Sequence, residues 1–585
     1  MRYLTGGAPT GRVIGACFGL LMVLSLLVVS AVSGRLSTSA MEADNVMRLV
    51  QIQDLLKGQG WFDLHQARLG PPGGTAMHWS RLADVPVLVI KGVLDVFLPS
   101  QRALDVACLV WPPLSVLLVV WGLMTGARRL GGCTMLVFTC IIAATILFRH
   151  PNFLSGSIDH HNLQLGFLAI ALGFSLDRNR APVSLAAAGA ALASSIAIGV
   201  EVYAFVGVFC VFHALDWALT GAAARRGAVA FGGSLALLTT VFFAASIAPA
   251  AYGVVHCDAL SLVTLCAAVL GGAGLAGAAA ILSNKSVVWR MSGLGIVGIA
   301  CATMLAVLAP QCLGSPLDEL QPIVRTLWLE KVDEARPLFA LRPGMAREVP
   351  FMAGITLIAM AVSAWRIWTG TQRRAHVLFL ALLLADFVLT LQQVRFYTFG
   401  HLFAVIPLAF WVATLFARGR EPGERGVAYV LALAVSVPLV WGVPGIFFAT
   451  NARGMTPSAS ACGSAAMLSA LEGRPDGRVL AVADVAPNIL RYTRHSVLHG
   501  HYHRNATGIE AALSILTAPS GKAVSLMRHA QVDYVLSCPG HAEMSMLATF
   551  APRSLAADLS AGAPPGALKI IHREPDGETL FAVEP

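Results

Sequence analysis

Charged side chains are scarce in this chain: Asp, Glu, Lys and Arg make up 12% of its 585 residues, against 56% hydrophobic residues. That scarcity excludes an ordinary water-soluble domain, in which about a quarter of the residues are charged. No basic tail or stripe gathers the net charge of +9, so the usual footprint of a nucleic-acid-binding protein is missing and no nucleic-acid partner is expected. The 11 cysteines include no CxxC pair, which removes zinc-ribbon and thiol-exchange motifs. Seven of them fall in apolar stretches, where a thiol packs as a small hydrophobe. Cys462 and Cys538 fall in a polar tail; a disulfide between them requires an oxidising compartment, and their spacing leaves the pairing open.

What the chain does have is a series of apolar runs. Stretches long enough to cross about 30 Å of hydrocarbon recur from Arg12 to Thr450. Spans are expected near 13–33, 104–125, 132–148, 163–176, 183–200, 203–220, 229–250, 260–282, 291–309, 351–369, 376–392, 401–417 and 427–449. The first reads as an uncleaved anchor, because it is long and the Ser-Thr-Ser-Ala run after it is a weak cleavage site. Residues 85–98 are apolar but short and carry Lys91 and Asp95, so they read as a helix in the outer interface.

Basic residues punctuate alternate loops at Arg2, Arg12, Arg128, Arg129, Arg178, Arg180, Arg225, Arg226, Lys285, Arg290, Arg373, Arg374, Arg418, Arg420 and Arg425. The short connections near Glu201 and at 252–259 hold no Lys or Arg. This is the positive-inside pattern. With thirteen spans and a cytoplasmic N-terminus, the tail falls outside. The expected organisation is a transmembrane domain over 1–450, with external loops 34–103, 149–162 and 310–350, and a soluble periplasmic α/β domain over 451–585. A bacterial inner membrane is the expected location. In the tail, strands are expected at Arg478–Val485, Ser496–Gly500, Val532–Ser537, Ala567–His572 and Thr579–Val583, with helices near 507–517 and 521–530 and a hairpin turn at Asp576-Gly577.

The external segments concentrate the chemistry. Asp44 opens a stretch whose apolar residues fit one face of an interfacial helix ending at Gly58; it reads equally as a helix cap and as a cation ligand. Residues 61–81, rich in aromatic, Gly and Pro residues and including His78, form a loop able to line a pocket or to anchor at the interface. Asp159-His160-His161 sets a carboxylate beside two imidazoles, good transition-metal ligands, although Asp159 also fits a helix cap. Glu334 lies in an acidic run whose default reading is a solvated face. Arg395 stands at the outer end of a span, against the charge rule, so it either binds phosphate or snorkels. In the tail, His499, His501, Tyr502, His503 and Arg504 crowd one short run that reads as a ligand-facing loop.

These segments together resemble the catalytic subunit of oligosaccharyltransferases and, more broadly, the C-type glycosyltransferases (GT-C) that use polyprenyl-linked sugars. Asp44 with Arg48 is similar to the family's first acidic motif, and Asp159-His160-His161 to its second in the archaeal form. Val332-Asp333-Glu334 is similar to its loop motif, and Arg395-Phe396 to its Arg at the lipid pyrophosphate.

The resemblance implies a GT-C-like membrane domain of about 13 helices that transfers a sugar or oligosaccharide from a polyprenyl-phosphate or -pyrophosphate donor. A divalent ion, Mg2+ or Mn2+, would sit on Asp44, Asp159 and His161, with Glu334 completing the site. Arg395 and Arg48 would hold the donor phosphate, and His160, His78, Tyr502, His503 and Arg504 would be further contacts to donor or acceptor. The family's Trp-Trp-Asp-Tyr-Gly acceptor motif is absent, and Ala461 to Glu472 offers no such run. The acceptor is therefore left open among glycan, lipid and protein, and membrane lipid is the surrounding partner. The alternative is a transporter or flippase of a lipid-linked or small polar substrate, with charged groups inside the spans.

Overall fold

The structure is a computed structural model and describes residues 8–314, 317, 320–341, 345, 347–421, 426–447 and 462–584. Arg2, Arg425 and the first residues of the expected tail domain, 451–461, lie outside them. The chain is a polytopic helical membrane protein with a small C-terminal α/β domain. Its described residues divide into two compact units. The first takes those of Met1–Ala40, Trp79–Pro316 and Glu334–Ala452; the second takes those of Met41–His78, Leu317–Asp333 and Arg453–Pro585. Two loop segments, Met41–His78 and Leu317–Asp333, thus group with the tail in the second unit.

In the first unit a helix stands in each of the thirteen expected segments. They are Ala8–Val32, Ser100–Leu130, Cys133–Leu147, His161–Ser175, Pro182–Ile198, Tyr203–Thr220, Arg225–Ser246, Leu262–Leu282, Val287–Leu308, Val349–Trp368, Arg373–Gln392, Tyr397–Arg418 and the bent pair Val427–Val435 with Pro438–Phe447. Among the described residues, eight stretches are long and apolar enough to cross a bilayer, or nine with the bent pair as one span. One of the eight, Val200–Ser246, contains two helices. The remaining three helices have 15, 15 and 17 residues; at 1.5 Å per residue they reach only about 22–26 Å.

The helix Tyr397–Arg418 is the centre of this unit, with every residue from Phe399 to Ala409 buried. Two packing devices position the segments around it. The first is close helix approach: a Cβ at Gly122 would land on the backbone of Ala169 and Ile170, and one at Gly173 on the carbonyl of Gly122. Glycine at these points lets Ser100–Leu130 and His161–Ser175 meet backbone to backbone, the usual way small residues tighten membrane helix pairs. The second is an aromatic knot, in which the Phe205 ring lies 5.1 Å from that of Phe399 and 5.2 Å from that of Phe403. It joins the starts of Tyr203–Thr220 and Tyr397–Arg418.

The helix Val85–Leu94 packs on Ser100–Leu130. It turns Lys91 inward to Asp95 (2.7 Å) and Ser100 (2.8 Å), leaving Val89, Val93, Val96 and Phe97 exposed. A disulfide, Cys257–Cys312, which the sequence reading did not foresee, ties the connection after Arg225–Ser246 to the turn after Val287–Leu308. The seven free cysteines are Cys17, Cys108, Cys133, Cys140, Cys210, Cys266 and Cys301, all in apolar helices.

The second unit is built on a five-stranded sheet. A small ribbon pairs β1 (His65–Gln66) with β2 (Thr75–Ala76). The sheet itself comprises β3 (Arg478–Leu480), β4 (Ser496–Val497), β5 (Tyr534–Ser537), β6 (Leu568–Arg573) and β7 (Thr579–Val583), in the order β4-β3-β5-β7-β6. The strands β4, β3 and β5 are parallel, whereas β5, β7 and β6 are antiparallel. The hairpin turns at Asp576-Gly577 as expected, with Gly577 at φ +94° and Asp576 Oδ1 accepting from Glu578 N at 3.1 Å. The expected first strand, Arg478–Val485, is shorter: the chain leaves the sheet after Leu480 and coils into Ala483–Val485, because Pro487 starts the helix Ala486–Tyr492.

Residues 68–70 are bound into the same sheet. Leu69 bridges Val497 in parallel, Val497 N donates to Arg68 O at 2.8 Å, and Gly70 N donates to Val497 O at 2.8 Å. The Arg68 guanidinium donates to the carbonyls of Leu490 and Thr493 at 2.6 and 2.8 Å. The helix Ala43–Leu56 packs on Ala486–Tyr492, and all its residues from Asn45 to Ile52 are buried. The interfacial helix with a single apolar face expected from its sequence is therefore corrected to a helix buried on every side from Asn45 to Ile52. The disulfide Cys462–Cys538, left open by the sequence, is formed in this unit.

Candidate functional site

In the first unit, Gly156 at φ +85° turns the chain after Leu147, and the next helix begins at His161. Asp159 precedes the cap residue His160, and its Oδ1 accepts from the amide of His160 at 2.8 Å. It therefore stands one residue ahead of the cap position that its sequence also suits.

His160 lies between two carboxylates. Its Nδ1 is 2.6 Å from Asp159 Oδ1 and its Nε2 is 3.5 Å from Glu201 Oε1. Burial opposes charge on this ring, but Asp159 and then Glu201 outweigh it and push its pKa up to about 10. His161 faces the other way. Its Nδ1 is 3.0 Å from Gln164 Oε1, and its Nε2 is 3.4 Å from Asp159 Oδ2. Gln164 Nε2 donates to Glu201 Oε2 at 2.8 Å.

The donor set fits a divalent cation. Two ligand atoms each about 2.1 Å from a metal, at tetrahedral to square angles, sit about 3.0–3.4 Å apart, which matches the Asp159 Oδ2 to His161 Nε2 separation of 3.4 Å. A carboxylate and an imidazole suit Mn2+ and its first-row neighbours.

Arg395 lies in the turn Val394–Phe396, close enough to Glu201 for their charges to interact. Its Nε is buried without a hydrogen-bond partner among the described residues. The aromatic knot explains the approach, since Phe205 follows Glu201 and Phe396 and Phe399 follow Arg395. Glu334 lies exposed in the turn Asp333–Ala335. The segment after it is fixed beside Arg395, because Val394 N donates to Arg336 O at 2.9 Å. The first unit thus gathers Asp159, His160, His161 and Arg395 and adds Glu201 and Gln164, which were not among the expected site residues. The available signal was Glu201 itself, an acid in an external connection devoid of Lys and Arg.

The remaining expected residues lie in the second unit. Asp44 is exposed in the first turn of Ala43–Leu56, whose cap position is held by Glu42, so of its two readings the helix cap does not apply. Arg48 is 1% exposed on the same helix. The rings of His78 and His503 are 4.4 Å apart, and Arg504 donates to Met77 O at 3.3 Å. Tyr502 is 2% exposed. Much of the tail run is thereby engaged in holding residues 75–78, and Asn505 Nδ2 adds a bond to Thr75 Oγ1 at 3.0 Å.

His501, from the same run, belongs to a polar cluster that the sequence did not reveal. Asp484 accepts from His501 Nε2 at 3.0 Å and from His541 Nε2 at 3.4 Å. Trp328 Nε1 donates to His501 Nδ1 at 2.9 Å, and the amide of Glu543 donates to His541 Nδ1 at 3.2 Å. With both Nδ1 atoms accepting, each Nε2 carries a proton and neither ring offers a lone pair there, so this cluster is a hydrogen-bond relay and not a metal site. The bonds from His501 and His541 hold the Asp484 carboxyl well below the usual carboxylate range. Burial works against charge on His501, but Asp484 prevails and raises its pKa.

No protein-family model and no curated protein matches this chain. Solved structures do match. The chain is similar to the archaeal oligosaccharyltransferase AglB from Archaeoglobus fulgidus in complex with an inhibitory peptide and a dolichol-phosphate, with a TM-score of 0.63 and 15% identity over 96% of this chain and 74% of that one. It is similar to the apo form of the oligosaccharyltransferase from the same organism, with a TM-score of 0.66 and 14% identity over 98% of this chain and 74% of that one. A complex of that enzyme with Zn and sulfate gives a TM-score of 0.60 and 13% identity over 96% and 73%. At these identities the likeness establishes the fold, which is that of the archaeal oligosaccharyltransferase.

Proposed function

We propose that this chain is a metal-dependent membrane glycosyltransferase of GT-C type, which moves a sugar or oligosaccharide from a polyprenyl-phosphate or -pyrophosphate donor to an extracytoplasmic glycan, lipid or protein acceptor. The observation that carries the reading is the facing pair Asp159 Oδ2 and His161 Nε2, 3.4 Å apart, in the unit that also holds Arg395. The fold supports it, since similar structures were solved with dolichol-phosphate and with Zn and sulfate. Asp159 and His161 would hold Mg2+ or Mn2+, which supplies a Lewis acid for charge developing on the leaving phosphate. Arg395 binds a phosphate oxygen through its unmatched Nε–H, a charge-assisted bond. Glu334, exposed in the turn ahead of the Arg336 segment, or Asp44 would orient or deprotonate an acceptor hydroxyl. The roles given to Asp44 and Arg48 by the resemblance are part of this proposal. We also place the N-terminus in the cytoplasm and the tail in the periplasm of a bacterial inner membrane. In support, both disulfides use cysteines from segments assigned outside, as oxidising compartments require.

The test is incubation of purified protein with a labelled polyprenyl-linked sugar and Mn2+. Wild type is expected to consume the donor, while Asp159→Ala and Asp44→Ala lose transfer with normal membrane insertion. Full activity in either variant, or undiminished activity in chelator, removes the metal mechanism. The transporter reading draws on Asp386, a carboxylate 1% exposed within the helix Arg373–Gln392 whose Oδ1 has no hydrogen-bond partner among the described residues. Movement of intact substrate across vesicles would favour it.

A further inference from the structure

We infer that Glu201 and Gln164 form a positioning relay that sets the tautomer of His161 and so presents its Nε2 lone pair to the cation; the inference rests on the cation site proposed above. The argument is one of hydrogen-bond direction. A carboxylate only accepts, so Gln164 must turn its amide nitrogen to Glu201 Oε2, 2.8 Å away. That leaves the Gln164 carbonyl facing His161 Nδ1 at 3.0 Å, and a carbonyl too only accepts. His161 Nδ1 therefore carries the proton. Its Nε2 is left as a lone pair, 3.4 Å from the acceptor atom Asp159 Oδ2. Two facing acceptors at that distance repel each other unless a cation or a second proton stands between them.

The surroundings keep the relay from turning over. Gln164 is fully buried. The other oxygen of Glu201 faces His160 Nε2 at 3.5 Å, and His160 is held in turn by Asp159. Gly199 leaves the space in which the relay closes, because a Cβ there would stand 2.6 Å from Gln164 Nε2 and 2.7 Å from Glu201 Oε2. Outer partners that orient a ligating histidine typically change metal affinity by about 10–100-fold when removed.

The experiment titrates purified full-length protein with Mn2+ and reads free Mn2+ from its EPR signal. Glu201→Gln allows Gln164 to flip and offer its amide nitrogen to His161, and is expected to weaken binding by about 10–100-fold. The exchange of Gln164→Glu combined with Glu201→Gln returns a carboxylate oxygen to His161 Nδ1 and an amide donor to residue 164, and is expected to recover most of the affinity. The exchange conserves volume, charge and hydrogen-bond count, so it stays informative should the single variant fail to fold, which thermal melting reports. Wild-type affinity in Glu201→Gln overturns the relay, as does a loss in the exchange as deep as in the single variant. Absence of Mn2+ binding by wild type, or equal binding by Asp159→Ala, instead overturns the cation site and the relay with it.

Discussion

His501 has two neighbours that favour opposite protonation states. Asp484 favours the charged ring, while Trp328 donates to Nδ1 and so requires the neutral one. The charged ring is reached only by giving up the indole bond. Because the His501 pKa is raised, its pairing with Asp484 contributes fully below the unfolded histidine value of about 6.5 and is lost as pH rises through the folded value. The Asp484 pKa is lowered, so its contribution is present above about 3.9 and fades as pH falls through its folded value. The pair is therefore worth most between about pH 4 and 6.5. Acidification should release Trp328, and the emission difference between wild type and Trp328→Phe is expected to change with a midpoint above about 6.5. Asp484→Asn should move that midpoint down; an unmoved midpoint would separate the two groups.

The arrangement of helices depends on close contacts more than on capping. The site loop 156–160 leads directly into His161–Ser175, and that helix is seated on Ser100–Leu130 where Gly122 and Gly173 carry no side chain. Gly122→Ala forces the two backbones apart, and overpacking of this kind costs about 1–3 kcal/mol. A lower melting temperature in detergent is expected, with weaker Mn2+ binding because Asp159 and His161 move with the displaced helix. Unchanged melting would mean that the pair has slack. At this scale the sequence was informative. Long apolar runs place the spanning helices within a few residues, and Thr579–Val583 is a strand as read. Arg478–Val485 was over-extended because its apolar residues continue past Leu480, whereas the chain turns into a helix led by Pro487.

Across the whole molecule, the sequence did not disclose how its segments are shared between the two units. The alternation of apolar and polar runs separates membrane from tail, but the pairing of Leu69 with Val497 is fixed by tertiary contact and leaves no local trace. Asp159-His160-His161 and Arg395 were legible as candidates because polar groups are rare in such a chain. Glu201 was not, since its approach to Arg395 depends on the Phe205 contact that brings two helix starts together, and Cys257–Cys312 likewise joins two loops far apart in sequence. A fragment of residues 451–585 is accordingly expected to melt lower and less cooperatively than the tail unit of the intact protein, and a peptide of residues 41–78 added in trans should raise its melting temperature. Equal stability with and without the peptide would show the tail to be self-sufficient.

Arg68 and Thr493 are 425 residues apart in sequence. Synthesis at about 5–20 residues per second therefore leaves residues 41–78 waiting on the order of tens of seconds before their sheet partners emerge. Through that interval the buried face from Asn45 to Ile52 and the strand edge at 68–70 are unshielded. Expression of this protein is thus a race between elongation and capture of an early segment, in which slower translation of the later spans lengthens the exposure and a chaperone able to cover a short apolar helix shortens it.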